Sequence, residues 1–158
     1  MRIIAHRTNI DGPDIKNENK ISNLKKCLNL GFDIEIDIRF IDGDLYLGHD
    51  FAENIISKKE LINIKDFAWI HCKNLEALSF FKNIDENFNY FWHANDDYTL
   101  TSKGYIWTYP GKKLCDNSIC VMPELNNELT NLEFLGEINV AGLCTDYPKL
   151  IKNLLLIN

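Results

Sequence analysis

Apolar runs long enough to cross a bilayer are missing from this chain of 158 residues. The longest run near its end is Leu154–Ile157, against the roughly 20 residues that a spanning helix needs. Basic residues are also in short supply, 17 against 23 acidic ones for a net charge of -6. A nucleic-acid surface or an anionic membrane is therefore not expected as a partner, and any anion must be met by a few local groups. Glycine (8) and proline (4) are too sparse for collagen-like or low-complexity chains. Asparagine and lysine are frequent but scattered, and no internal repeat is visible. The five cysteines, Cys27, Cys72, Cys115, Cys120 and Cys144, form an odd set without CxxC or zinc-knuckle spacing. His6 and Arg7 interrupt any apolar start, so reduced thiols and a cytoplasmic location are expected. What remains is 46% hydrophobic and 25% charged, the composition of an ordinary soluble domain. At this length residues 1–158 are expected to form a single domain around one core.

Apolar or alternating runs at Arg2–Ala5, Asp33–Ile38, Leu45–Gly48, Phe67–Cys72, Phe88–Trp92, Tyr105–Tyr109, Ser118–Met122 and Val140–Cys144 predict eight strands. Helical spacing places Ile21, Leu24 and Leu28 on one face, with Gly31 as a C-terminal cap. Lys73–Phe81 and Pro148–Ile157 carry the same period. Strands alternating with short helices predict an α/β class with a parallel sheet, and eight strands close most simply into a barrel. Such barrels usually need roughly 200 residues or more. The expectation is therefore an abbreviated, irregular TIM-type (β/α)8 barrel in which loops replace some helices. Ile41–Asp44 is too short for a helical crossover, and its Asp42-Gly43 predicts a hairpin between the second and third strands.

All four histidines, His6, His49, His71 and His93, fall at or near the C-terminal ends of predicted strands. In parallel α/β barrels that end carries the functional face, so the four would converge on one pocket. The alternative is four separate rim residues, each hydrogen-bonded for itself. In Asp33-Ile34-Glu35-Ile36-Asp37-Ile38 the period of two sets Glu35 and Asp37 on one face and three isoleucines on the other. Two carboxylates turned into a barrel repel and are desolvated unless a metal, a lysine or an arginine neutralises them. A divalent metal is the economical answer, and a solvated edge strand is the competing one. His71 and Lys73 share a face of their strand, which suits Lys73 to a phosphate. Tyr90–Tyr98 and Trp107-Thr108-Tyr109-Pro110 concentrate aromatics at two further strand ends, either as a pocket wall, with His93 and Trp107 touching substrate, or as ordinary core. Cys72 and Cys144 are expected to face helices. Asp146 either joins the site or caps the last helix.

Ala5-His6-Arg7, Glu18-Asn19, Gly31 to Asp37, Asp42-Gly43 and Gly48-His49-Asp50 resemble, in order and spacing, the opening signature of the glycerophosphodiester phosphodiesterase family. Thr145-Asp146-Tyr147-Pro148 resembles its closing motif. The resemblance implies a phospholipase C-like phosphodiesterase barrel and one divalent ion, magnesium, calcium or manganese, at positions matching Glu35 and Asp37. It further implies His6 and His49 as acid and base, and Arg7 on the phosphate. The chain departs from the family at three places. Thr8 stands where the family has glycine. His71-Cys72-Lys73 replaces Glu-x-Lys, so an imidazole stands at the third ligand position, which favours manganese or zinc over calcium; Glu124 is a candidate to compensate. Only Phe51–Asp66 separates the His-Asp motif from the fourth strand, which implies a shallow, open pocket.

The chemistry of the residues agrees with that implication. A phosphodiester repels nucleophiles, so its cleavage needs local positive charge together with a matched acid and base. The expected function is metal-dependent hydrolysis of a small glycerophosphodiester-like or related phosphorylated polyol. Two other readings remain: a lyase that stops at a cyclic phosphate, and a catalytically silent barrel that binds a phosphorylated ligand or a protein partner. The sequence leaves the alcohol, the metal and the oligomeric state open.

Overall fold

The computed structural model describes residues 1–126 and 137–157. Its framework begins with β1 (Arg2–Ala5), α1 (Ile21–Asn29) and β2 (Asp33–Ile41). The face predicted from the spacing turns to the core, with Leu24 buried and Ile21 and Leu28 partly so; Cys27, which the spacing did not single out, is buried beside them. It ends in a Schellman turn: Gly31, at φ 81°, donates to Leu28 O at 2.9 Å, and Phe32 N donates to Cys27 O at 3.1 Å. The buried Phe32 then leads directly into β2. Along β2 the alternation holds. Ile34, Ile36 and Ile38 pack with Leu24, Leu61, Ala77 and Phe81 in the layer beneath the helices, while the acidic residues point the other way.

The chain continues through β3 (Asp44–Leu47), β4 (Asn54–Ile55), α2 (Lys58–Ile64), β5 (Ala68–Cys72) and α3 (Leu75–Asn83). It then forms β6 (Asn89–Phe91), β7 (Tyr98–Leu100), β8 (Ile106–Thr108), β9 (Ser118–Val121), β10 (Gly142–Thr145) and α4 (Pro148–Ile157). Strands β6, β5, β2, β1, β10, β9 and β8 lie side by side in that order, each parallel to the next. β7 adds antiparallel to β8. No ladder joins β6 to β7 among the described residues. Isolated bonds bridge the gap instead: Ser102 N donates to Tyr90 O at 2.9 Å, and Thr99 Oγ1 donates to Trp92 O at 2.8 Å. The fold is a mixed α/β sheet curled into an incomplete barrel, and the closed eight-stranded barrel expected from the sequence is not reached.

The hairpin expected at Asp42-Gly43 forms, but its second strand is not one of the parallel barrel strands. β3 pairs antiparallel with the far half of β2, through a turn in which Asp42 and Gly43 take φ values of 51° and 94°. With β4 it forms a hairpin flap outside the parallel set. The nine residues of β2 outrun its parallel neighbours, and the overhang needs a partner of its own.

Inside the curl, Ile4, Trp69, Phe91, Trp107, Ile119, Val121 and Cys144 form a plug. Cys144 therefore faces inward, contrary to expectation, because it lies opposite Ile4 in the register of β1 and β10. Cys72 does face the helix layer. Asp33, on the same face as Glu35, is held by Arg2 Nη1 at 2.7 Å and Trp69 Nε1 at 3.0 Å. No disulfide joins any of the five cysteines, and no described helix is long and apolar enough to cross a membrane.

Because Ile36 is fully buried between β2 and the helices, Ile36→Ala is expected to lower the unfolding free energy by about 2–5 kcal/mol in a urea titration. A loss below about 1 kcal/mol would contradict the packing described.

Candidate active site

The inward face of β2 sets two carboxylates almost out of solvent, Glu35 at 2% and Asp37 at 0% exposure. In the parallel register Asp37 lies opposite His71 on β5. His71 Nδ1 is 3.1 Å from Asp37 Oδ1 and 3.7 Å from Glu35 Oε1. One ligand atom from each of the three lies within 4.8 Å of the others. Asp37 Oδ1 is buried and receives no hydrogen bond. Its partner oxygen is satisfied by Asn19 Nδ2 at 2.9 Å. An unbonded carboxylate oxygen aimed at a second carboxylate and an imidazole nitrogen is the donor set of a cation site. His71 Nε2 lies 3.1 Å from the carbonyl oxygen of His93, which only accepts, so Nε2 carries the hydrogen and Nδ1 is the nitrogen left to coordinate.

Without a cation the cluster is balanced by protons and basic side chains. Burial opposes a charged His71, yet its contacts with Asp37 and Glu35 prevail and raise its pKa to about 9. Burial likewise opposes the Asp37 anion, but His71, Lys73 and Arg7 outweigh it and hold its pKa well below the ordinary carboxylate range. Lys73 Nζ lies 3.7 Å from Asp37 Oδ1, and Arg7 Nε 3.6 Å from Oδ2.

The turn after β1 supplies the other side. His6–Thr8 form a short 3-10 turn in which Arg7 and Thr8 take φ values of 47° and 65°. That conformation aims Arg7 N at Glu35 Oε2, 2.8 Å away. Glycine would adopt it freely; Thr8 does so fully buried, with its hydroxyl unpartnered. His6 Nδ1 is 2.8 Å from Asp146 Oδ1, which also accepts from Asn9 Nδ2 at 2.8 Å. Asp146 N in turn donates to Glu124 Oε1 at 2.8 Å, and Thr145 Oγ1 to Glu124 Oε2 at 3.0 Å. Glu124 is thus absorbed by the strand end and does not compensate at the metal group, whereas Asp146 joins the site through His6. Burial opposes the His6 cation, but the hydrogen bond to Asp146 and the field of Glu35 prevail and raise its pKa.

His49 sits on the loop leaving β3, with Nδ1 2.7 Å from Asp50 Oδ1. Gly48 permits this loop at φ 144°; a Cβ there would collide with the carbonyl oxygen of Phe51. The chain alone gave no sign of the strap that holds it. Arg39 donates through Nη2 to the carbonyl oxygens of His49 at 2.7 Å and Asp50 at 3.2 Å, and through Nη1 to that of Lys73 at 3.2 Å.

His6, Arg7, Glu35, His49, His71, Lys73, His93 and Trp107 all line one cavity of about 540 Å³ at the C-terminal ends of the parallel strands. Asp37, fully buried, is not among the lining residues. Eight of the nine residues singled out in the sequence thus face one cavity.

No protein-family model and no curated protein matches the sequence. The fold is similar to that of a glycerophosphoryl diester phosphodiesterase from Parabacteroides distasonis, with a TM-score of 0.52 and 10% identity. The match covers 99% of this chain and 86% of that one. At that identity the likeness is one of fold.

The His6–Asp146 pair generates a pH prediction. His6, with its pKa raised above 6.5, contributes stability that is complete below 6.5 and is lost as pH rises through the folded-state value. Asp146, lowered from 3.8, contributes above 3.8 and loses it as pH falls through its folded-state value. Asp146→Asn is expected to lower the His6 pKa seen by NMR and to destabilise the protein most between pH 3.8 and 6.5. An unshifted His6 titration would refute the pairing.

Proposed function

We propose that the chain is a metal-dependent phosphodiesterase whose substrates are small glycerophosphodiester-like or related phosphorylated polyols. The observation that carries this reading is the convergence of the Glu35–Asp37–His71 group, two carboxylate-backed histidines and the cations Arg7 and Lys73 on one cavity. The likeness of fold to a glycerophosphoryl diester phosphodiesterase supports it.

In this reading Glu35, Asp37 and His71 hold one divalent ion, of the manganese or zinc kind as readily as magnesium. When bound, that ion supplies positive charge for the phosphoryl oxygens and for the attacking oxygen. The remaining steps belong to the side chains. Arg7 offers a planar two-point grip to the phosphate and Lys73 a point charge beside it. Each catalytic imidazole gives its Nδ1 to a carboxylate, His6 to Asp146 and His49 to Asp50, which leaves Nε2 to exchange a proton within the cavity. One imidazole takes the proton of the attacking hydroxyl as the new P–O bond forms, and the other protonates the leaving alkoxide as the old bond breaks. When the alcohol carries a hydroxyl next to the ester, that hydroxyl attacks first and gives a cyclic phosphate, which water then opens. His93 and Trp107 flank the bound diester.

A panel of phosphodiesters with manganese, magnesium, calcium or zinc, followed by phosphorus NMR, tests the proposal. Hydrolysis to a phosphomonoester is expected; a cyclic phosphate as final product would mark a lyase, and binding without turnover under every ion would mark a silent barrel. His6→Asn and His49→Asn are each expected to lower kcat/KM by about 10²-fold or more and to remove one limb of a bell-shaped pH profile. Glu35→Gln is expected to abolish metal-dependent turnover while the unfolding midpoint stays level or rises, since carboxylate repulsion is relieved. A marked loss of stability would assign Glu35 a structural role instead.

A further inference from the structure

The cavity is divided. Its charged half comes from the ends of β1, β2 and β5 and from the flap; its other half, from the ends of β6, β8 and β9, presents Trp92, Trp107, Tyr109, Pro110, Val121 and Met122. Two of these are large rings left open to solvent, Trp92 at 41% and Tyr109 at 48% exposure. Trp107 is fixed from behind, its ring centroid 4.5 Å from that of Phe91, which itself stacks on His71 at 5.0 Å. Tyr109 is held by its amide, which donates to Asp97 O at 2.9 Å, and its ring lies 5.6 Å from that of His93.

A phosphodiester has two alcohol arms. The charged half can satisfy the phosphate and an arm bearing hydroxyls. The opposite wall is mostly carbon, and hydroxyls pressed against it would lose water without gaining partners. A flat apolar group gains there from both burial and ring stacking. Among apolar groups the pre-fixed indole and phenol rings favour a planar one over a chain. Of the two aspartates near this wall, Asp97 is paired with Lys112 at 2.9 Å and Asp96 accepts from Ala94 N at 3.3 Å.

Building on the phosphodiesterase reading, we infer that the wall formed by Trp92, Trp107 and Tyr109 is a subsite for an aromatic ring on the second alcohol arm. The natural substrates are then mixed diesters, with a polyol on one side of the phosphate and a ring-bearing alcohol on the other. Trp92, on the open edge of the cavity, is the side chain that sets this preference.

Calorimetric titration of the manganese-loaded full chain with benzyl phosphate, n-butyl phosphate and glycerol 3-phosphate tests the inference at matched ligand charge. Benzyl phosphate is expected to bind about 10-fold more tightly than either of the others. In Trp92→Ala, checked for native folding by circular dichroism, that ratio is expected to fall to about one. Equal binding of all three ligands, or n-butyl phosphate matching benzyl phosphate, would overturn the subsite and leave the phosphodiesterase reading standing. A preference that survives in Trp92→Ala would overturn it as well. Failure of every phosphate to bind would overturn both.

Discussion

Two carboxylates buried side by side on one strand are the constraint around which this structure is arranged. Glu35 and Asp37 point inward because Ile34, Ile36 and Ile38 must point outward into the helix layer, and a strand has only two faces. Buried anions of like sign are costly unless nearby groups neutralise them. The Arg7 guanidinium from the turn after β1 and His71 with Lys73 from β5 supply the positive charge, while Arg7 N and Asn19 Nδ2 donate hydrogen bonds to Glu35 and Asp37. What compensates the charge is also what would bind a cation and a phosphate.

That arrangement is maintained by strain and by long-range straps. Arg7 and Thr8 hold left-handed backbone angles, a conformation that costs about 1–3 kcal/mol per residue and persists only where neighbours enforce it. Here the enforcing contacts are the bond from Arg7 N to Glu35 and the Asp146 network that fixes His6 and Asn9. Across the cavity Arg39 ties the His49 loop to the strand end at Lys73. The charged half of the site is thus rigidly positioned, while the aromatic half ends in exposed rings.

The incomplete curl bears on the same division. Strands β6, β7 and β8 are three residues each, and the gap between β6 and β7 is crossed by single hydrogen bonds. The sheet is strongest where the acidic strand needs paired neighbours and thinnest beside the apolar wall. The shortest strands thus lie beside the apolar wall.

Much of this was legible in the residue order, because strand alternation and helix periodicity are local. The faces of β2, the Gly31 cap, the Asp42-Gly43 turn and the placing of four histidines at strand ends all follow from neighbours within a few positions. The number of barrel strands did not, since β3 reads like any other strand and only the overhang of β2 makes it a flap. The inward turn of Cys144, the role of Asp146 behind His6 and the Arg39 strap were equally hidden. Asp146 stands 140 residues from His6, and no local pattern encodes a hydrogen bond across that distance. By itself the sequence determined the two faces of β2 and the buried side of α1. Which elements lie side by side, and so which charges meet, was decided only when the sheet curled, because such pairings depend on register between segments distant in the chain.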